Sequence, residues 1–230
     1  MRVRSDLAYI LPMAAFVGIT WLGTQFKDHY PLTYVVKTIF AGVLLVLFWK
    51  AYTRIRWTHW HWGLIVGVLG VVQWIGMEKL LMTQSWLSWT RMIGDIRAET
   101  FRPYEYFSSA GSMWAFILFR WAGSFLVVPV MEELFWRDYA WRTIASPNDF
   151  KLQGVGEYDT GGFWIVPLIF ATVHVQWLTA IVWALMIGLL LLKTRSLGAC
   201  IIAHGVTNFL LGGYVLFAHY VLKWDEWYFW

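Results

Sequence analysis

Charge is scarce in this chain. Only 14% of its 230 residues are Asp, Glu, Lys or Arg, against about 25% in a typical soluble domain. Cysteine is scarcer still: Cys200 stands alone, so no intrachain disulfide can form, and the compartment is left open. No internal repeat and no low-complexity tract interrupts the sequence, and no inverted repeat supports a transporter. The zinc-protease signature H-E-x-x-H is absent. No basic patch is present either. The net charge is +4, with Lys and Arg scattered among the polar connections, which excludes a nucleic-acid footprint. The N-terminal stretch MRVRSDLAYILPMAAFVGIT has a basic start and an apolar run but no small-x-small cleavage site after it. It reads as an uncleaved signal anchor.

What fills the chain instead is hydrocarbon. Apolar residues make up 59% and include eighteen tryptophans, a side chain that gathers at membrane–water interfaces. The expected class is an integral membrane protein, all-α, in contact with the bilayer along most of its length. A spanning helix needs about 20 mostly apolar residues. Seven segments qualify or nearly so: about 8–26, 31–50, 62–82, 111–131, 163–176, 177–193 and 197–220. The fifth and sixth are short and almost continuous. Two longer polar connections remain, 83–110, with an amphipathic interfacial stretch, and 146–162, rich in turn formers. One membrane domain over 1–230 accounts for everything, with a catalytic core at about 111–220. Lys and Arg counts near the span ends give ten on the N-terminal side and six on the other, which places the N-terminus in the cytoplasm.

Within so apolar a chain, polar residues inside the spans are costly, roughly 3 kcal/mol or more for a charge. Three groups stand out. In VPVMEELFWRDYAWR (128–142), Glu132 and Glu133 point about 100° apart on a helix. Glu133 and Arg137, at i,i+4, can pair on one face, which frees Glu132 for another direction. In FATVHVQW, His174 follows Phe170 by four residues. In CIIAHGVTNFL, His204 and Asn208 share a face. Taken singly, each has a plain reading: a charged helix end, a hydrogen-bonding core histidine, interhelical polar glue. Together they place Glu132, His174 and His204 on three helices in the same, cytoplasmic, half of the membrane. A carboxylate and a histidine can hold and deprotonate water, and a His–Asn pair can hold the oxyanion of a peptide carbonyl. No cofactor is needed for that chemistry. On this reading Glu132 enters a water-filled cavity open to the cytoplasm, where membrane charges are tolerated.

Rival chemistries use the same residues. Glu132, His174 and His204 are a possible zinc ligand set, although Asn208 then has no part. Cys200 and His204, at i,i+4, make a thiol–imidazole pair sterically possible. A non-catalytic scaffold, transporter-like or immunity protein would use the polar residues as a proton relay or as glue. Separately, Lys37, Glu78 and Arg120 fall at similar depth in the outer half, and are expected to form an ion cluster away from the chemistry.

The order E-E-x-x-x-R, F-x-x-x-H, H-x-x-x-N on successive helices resembles the CAAX-protease and bacteriocin-processing (Abi) family, the glutamate intramembrane proteases related to the CAAX prenyl endopeptidase. The matches are Glu132 to Arg137, Phe170 to His174, and His204 to Asn208. The resemblance implies an endopeptidase acting on a membrane-associated protein or peptide, near its C-terminus or its membrane-proximal part. It implies that Glu132 and His174 activate water and that His204 and Asn208 form the oxyanion hole. Glu133, Arg137 and Phe170 support them, and no metal is used. The N-terminal half resembles the bacterial subgroup found alongside exosortase and protein-sorting systems, hence a bacterial inner membrane. Prenylated substrates belong to eukaryotic and some archaeal relatives.

Overall fold

The computed structural model describes residues 5–84 and 100–230. Its elements are helices: α1 (Ser5–Gln25), α2 (Tyr30–Leu47), α3 (Trp60–Thr83), α4 (Ala110–Ala145), α5 (Thr160–Ala171), α6 (Trp177–Thr194) and α7 (Leu197–Phe217). All but α5 are long and apolar enough to cross a membrane. The chain is an all-α polytopic membrane bundle. Most of the expected interfacial stretch in 83–110 lies outside the described residues; 100–109 contributes a single helical turn, Pro103–Tyr106.

The fifth expected span is the main departure. Continuous hydropathy runs through 163–193, yet α5 stops at Ala171, about 18 Å long at 1.5 Å per residue. The chain then turns over residues 172–176 and returns as α6. Such a bend at membrane depth survives only where protein satisfies its polar groups. Gln176 meets that need: its Oε1 accepts from the Trp74 indole, and its Nε2 donates to the Tyr228 carbonyl at 3.4 Å. The α5 start is fixed by Asp159, whose carboxylate accepts from the Gly162 amide at 2.7 Å, an ordinary N-cap.

Helices α3 and α7 run parallel and in close contact. A Cβ at Gly63 would lie 2.6 Å from the Ala199 carbonyl, and one at Gly67 2.8 Å from the Ala203 carbonyl. Small residues at this spacing let two membrane helices approach backbone to backbone. The Thr207 hydroxyl lies 3.0 Å from the Gly67 carbonyl and 2.9 Å from that of Ala203, which locks the register of α7. Tryptophans divide in two. Trp21, Trp49, Trp57, Trp60, Trp62, Trp164 and Trp224 are exposed near helix ends, as an interfacial belt requires. Trp74, Trp136, Trp141, Trp183 and Trp227 are buried and belong to the core.

At the end of the bundle that carries the start of α1, a polar layer is sealed inside. Asp138 is fully buried and pairs with Arg142 one turn on. Its other oxygen accepts from the Tyr9 hydroxyl at 2.9 Å, and Arg142 Nε donates to the Gln153 carbonyl at 2.6 Å. Phe150 packs edge-on against Tyr9 and lies under Arg142, and the Trp141 indole donates to the Glu157 carbonyl at 3.2 Å. This ties α1, α4 and the 146–159 connection together and leaves that end closed.

Candidate active site

The sequence of α4 makes the site possible. Pro129 has no N–H to donate, and around it the helix widens into a π-turn over Gly123–Val127, where the Val128 amide reaches back to the Gly123 carbonyl. The next π bond would run from residue 129 to the Ser124 carbonyl, and proline cannot make it. The Asn208 amide takes that carbonyl instead, Nδ2 to O, at 2.8 Å. A second π segment, Leu134–Ala140, comes directly after the two glutamates. π-turns within α-helices occur frequently at functional sites. Here they bracket Glu132 and Glu133.

Glu133 and Arg137 form the expected ion pair, Nη1 to Oε1 at 3.1 Å, with both side chains at most 1% exposed. The same Oε1 lies 2.8 Å from His204 Nδ1. Arg137 rests over the rings of Phe170 and Trp183, at 5.0 and 5.4 Å. His204 meets the Trp183 ring edge to face at 4.6 Å. Glu133 thus holds His204 by one nitrogen and leaves Nε2 for the cavity.

His174 is not on a helix, contrary to expectation; it sits in the turn after α5. Its Nδ1 lies 2.8 Å from the Phe170 carbonyl. A carbonyl only accepts, so Nδ1 carries the proton and the neutral ring presents a lone pair at Nε2. Phe170 also stacks on the imidazole, with ring centres 4.2 Å apart and planes at 26°. Phe170 is therefore the orienting residue for His174 through both backbone and ring.

Glu132 points elsewhere from Glu133, as the 100° offset requires. It is 7% exposed, and its Oε2 has no hydrogen-bond partner among the described residues. Glu132, His174, His204 and Asn208 all line one cavity of about 690 Å³, and Phe170 forms part of its wall. The residues expected to act together are brought together.

Two expectations change. The cavity is lined by Thr24 and Tyr30 at the α1–α2 junction, by Phe101 and by Trp230. These lie toward the bundle end opposite the start of α1, while the Asp138–Arg142 layer closes the near end. A cavity opening beside the N-terminal end is therefore not what this fold provides. The ion cluster also dissolves. Among the described residues no ion pair joins Glu78 to Lys37 or Arg120. Glu78 accepts from the Thr179 hydroxyl at 2.8 Å, and Lys37 and Arg120 face the cavity. Depth counting carries no information on the direction in which each side chain points. Sequence reasoning also misses the Asp138–Arg142 pair, although its i,i+4 spacing is there to be read.

Cys200 is fully buried, does not line the cavity, and directs its thiol to the Ile187 carbonyl at 3.8 Å. Among the described residues no three His, Cys, Asp or Glu side chains gather as a metal-ligand set.

Helix contact beside His204 is close. A Cβ on Gly205 would come 2.9 Å from the Phe125 carbonyl, a backbone atom that cannot swing aside. Gly205→Ala is expected to force α4 and α7 apart and cost about 1–3 kcal/mol, the range for overpacking. Thermal unfolding in detergent checks this. A melting temperature equal to wild type would mean the contact is not tight.

Residues 112–210 match the family described as Type II CAAX prenyl endopeptidase Rce1-like. The matched stretch holds Glu132, Glu133, Arg137, Phe170, His174, His204 and Asn208. No curated protein and no solved structure matches the chain.

Proposed function

We propose, on the premise that residues 112–210 belong to the Type II CAAX prenyl endopeptidase Rce1-like family, that this chain is a glutamate-type intramembrane endopeptidase. It hydrolyses a peptide bond of a membrane-associated protein near its C-terminus or membrane-proximal part. The observation that carries the reading is the convergence of Glu132, His174, His204 and Asn208 on one cavity. In the proposed mechanism, water sits between Glu132 and the His174 Nε2 lone pair. As it adds to the scissile carbonyl, its proton passes to this pair and then to the leaving amine. The carbonyl oxygen, now negative, is held by Asn208 Nδ2–H and His204 Nε2–H. His204 donates from Nε2 while Nδ1 is also protonated, with the Glu133 carboxylate at 2.8 Å as its counter-charge. The catalytic core is about 111–220 of a single membrane domain.

In this proposal the N-terminal end is cytoplasmic, from the Lys and Arg excess on that side, and the membrane is a bacterial inner membrane, from the resemblance of the N-terminal half. The cavity then takes substrate from the opposite side. Impermeant labelling tests this orientation. A cysteine introduced at Thr24, in a Cys200→Ala background, is expected to react with an impermeant maleimide added to intact spheroplasts. Reaction only after lysis would reverse the orientation.

Purified protein in nanodiscs, incubated with membrane extract from a strain lacking it, is expected to create new C-termini detectable by mass spectrometry. Their yield is expected to be unchanged by a zinc chelator, by iodoacetamide, or by Cys200→Ala. No new termini would overturn the peptidase reading. Activity lost to the chelator and restored by zinc alone would replace the glutamate mechanism with the metalloprotease one.

A further inference from the structure

Two cations share the cavity with the candidate catalytic residues, and among the described residues neither has the carboxylate partner its burial demands. Lys37 is 8% and Arg120 6% exposed. Among the described residues no carboxylate lies within 4.0 Å of either. Lys37 Nζ donates to the Thr20 hydroxyl at 3.0 Å and lies over the rings of Phe16 and Tyr34, at 4.4 and 4.8 Å. The Arg120 guanidinium sits among Tyr30, Tyr34 and Trp230, at 5.0–5.5 Å from each ring centre. Ring faces attract a cation but accept no charge-assisted hydrogen bond. Arg120 Nη1 is buried and has no acceptor among the described residues. Both cations lie over the same Tyr34 ring, at 4.8 and 5.4 Å, and two like charges so placed raise the cost of leaving both uncompensated. Glu132 is the sole carboxylate among the described lining residues. It is not in contact with either cation, and its proposed task is elsewhere.

We propose that Lys37 and Arg120 form an anion subsite that binds the terminal carboxylate of the substrate peptide. The proposal rests on the peptidase reading and adds what the enzyme recognises. An arginine fork with a free N–H matches a carboxylate in shape and charge. Arg120 precedes Glu132 by twelve residues on the continuous helix α4, about 18 Å along the axis. An extended peptide covers that distance in about five residues. The subsite therefore measures a short C-terminal segment from its end to the scissile bond. Between the two, α4 gives Ser124 and Val128 to the cavity wall, and Val128 suits an apolar side chain in that segment.

The test is a binding measurement that needs no turnover. A pool of N-terminally labelled, apolar-rich decapeptides is made once with free C-terminal carboxylates and once as C-terminal amides. Binding to Glu132→Gln protein in detergent is expected to favour the acid pool by about 10- to 100-fold, the effect of losing hydrogen bonds to a charged group. Adding Arg120→Gln or Lys37→Met is expected to bring the acid pool to the affinity of the amide pool and to leave the amide pool unchanged. Equal binding of the two pools to the parent protein overturns the subsite, and no variant is needed to see it. Variants that melt earlier yet keep the acid preference also overturn it, since the cations would then be structural. Failure of wild type to cleave any peptide counts against the peptidase reading alone, because the acid–amide comparison is read without cleavage.

Discussion

Glu132→Gln is expected to lower turnover by at least about 100- to 10,000-fold, the range for a positioned general base, while the protein melts at nearly the wild-type temperature. The two halves of this expectation have separate origins. An amide cannot take a proton from water, so the chemical step fails. Glu132 Oε2 has no hydrogen-bond partner among the described residues and no ion pair holds the side chain, so an isosteric amide removes no protein contact. Glu133→Gln is the contrast. It strips the charge that faces both Arg137 and His204 and leaves a guanidinium uncompensated in a site at most 1% exposed. Breaking one side of a buried pair costs about 3–5 kcal/mol, so this variant is expected to melt early or not to fold. In cells, membranes carrying Glu132→Gln should accumulate a precursor with an intact C-terminus. A Glu132→Gln protein that turns over at the wild-type rate would refute the water-activation role.

That adjacent glutamates face such different surroundings was legible in the sequence. The 100° step of a helix separates them, and the i,i+4 spacing claims Glu133 for Arg137. The His204–Asn208 face was legible for the same reason, because α7 is regular over that stretch. Irregular backbone hid the rest. His174 reads as a helical residue because hydropathy does not fall between 163 and 193; the turn there depends on Gln176 meeting Trp74 and Tyr228, partners far away in sequence. Lys37 and Arg120 show a second limit. Counting residues from a helix end gives a level along the axis and not a direction around it. Direction around the axis depends on which neighbouring helices each face meets, and Thr179 for Glu78 and Tyr34 for Arg120 are partners distant in sequence. Glu78 and Arg120 were paired on depth alone, and their side chains serve different neighbours.

The π-turn over Gly123–Val127 gives Asn208 its position, and with it the sharpest remaining test. Asn208→Ala is expected to reduce kcat by about 100- to 1,000-fold with little change in KM, the usual loss for one oxyanion donor. The ground-state carbonyl is weakly charged and gains little from the donor; the adduct formed as water adds gains much, so the effect falls on the transition state. A structural role predicts different numbers. The bond from Asn208 to the Ser124 carbonyl, at 2.8 Å, is worth about 1 kcal/mol as interhelical glue, which lowers the melting temperature modestly and leaves kcat of the folded fraction alone. Both terms apply to Asn208, because the amide has two N–H groups and Ser124 takes only one. Melting temperature and kcat measured on one purified sample separate them. His204→Ala should reduce kcat as well, and the double variant should lose less than the product of the two, because donors that hold one oxygen act as a unit. A destabilised Asn208→Ala enzyme with wild-type kcat would reduce this residue to glue and remove it from the chemistry.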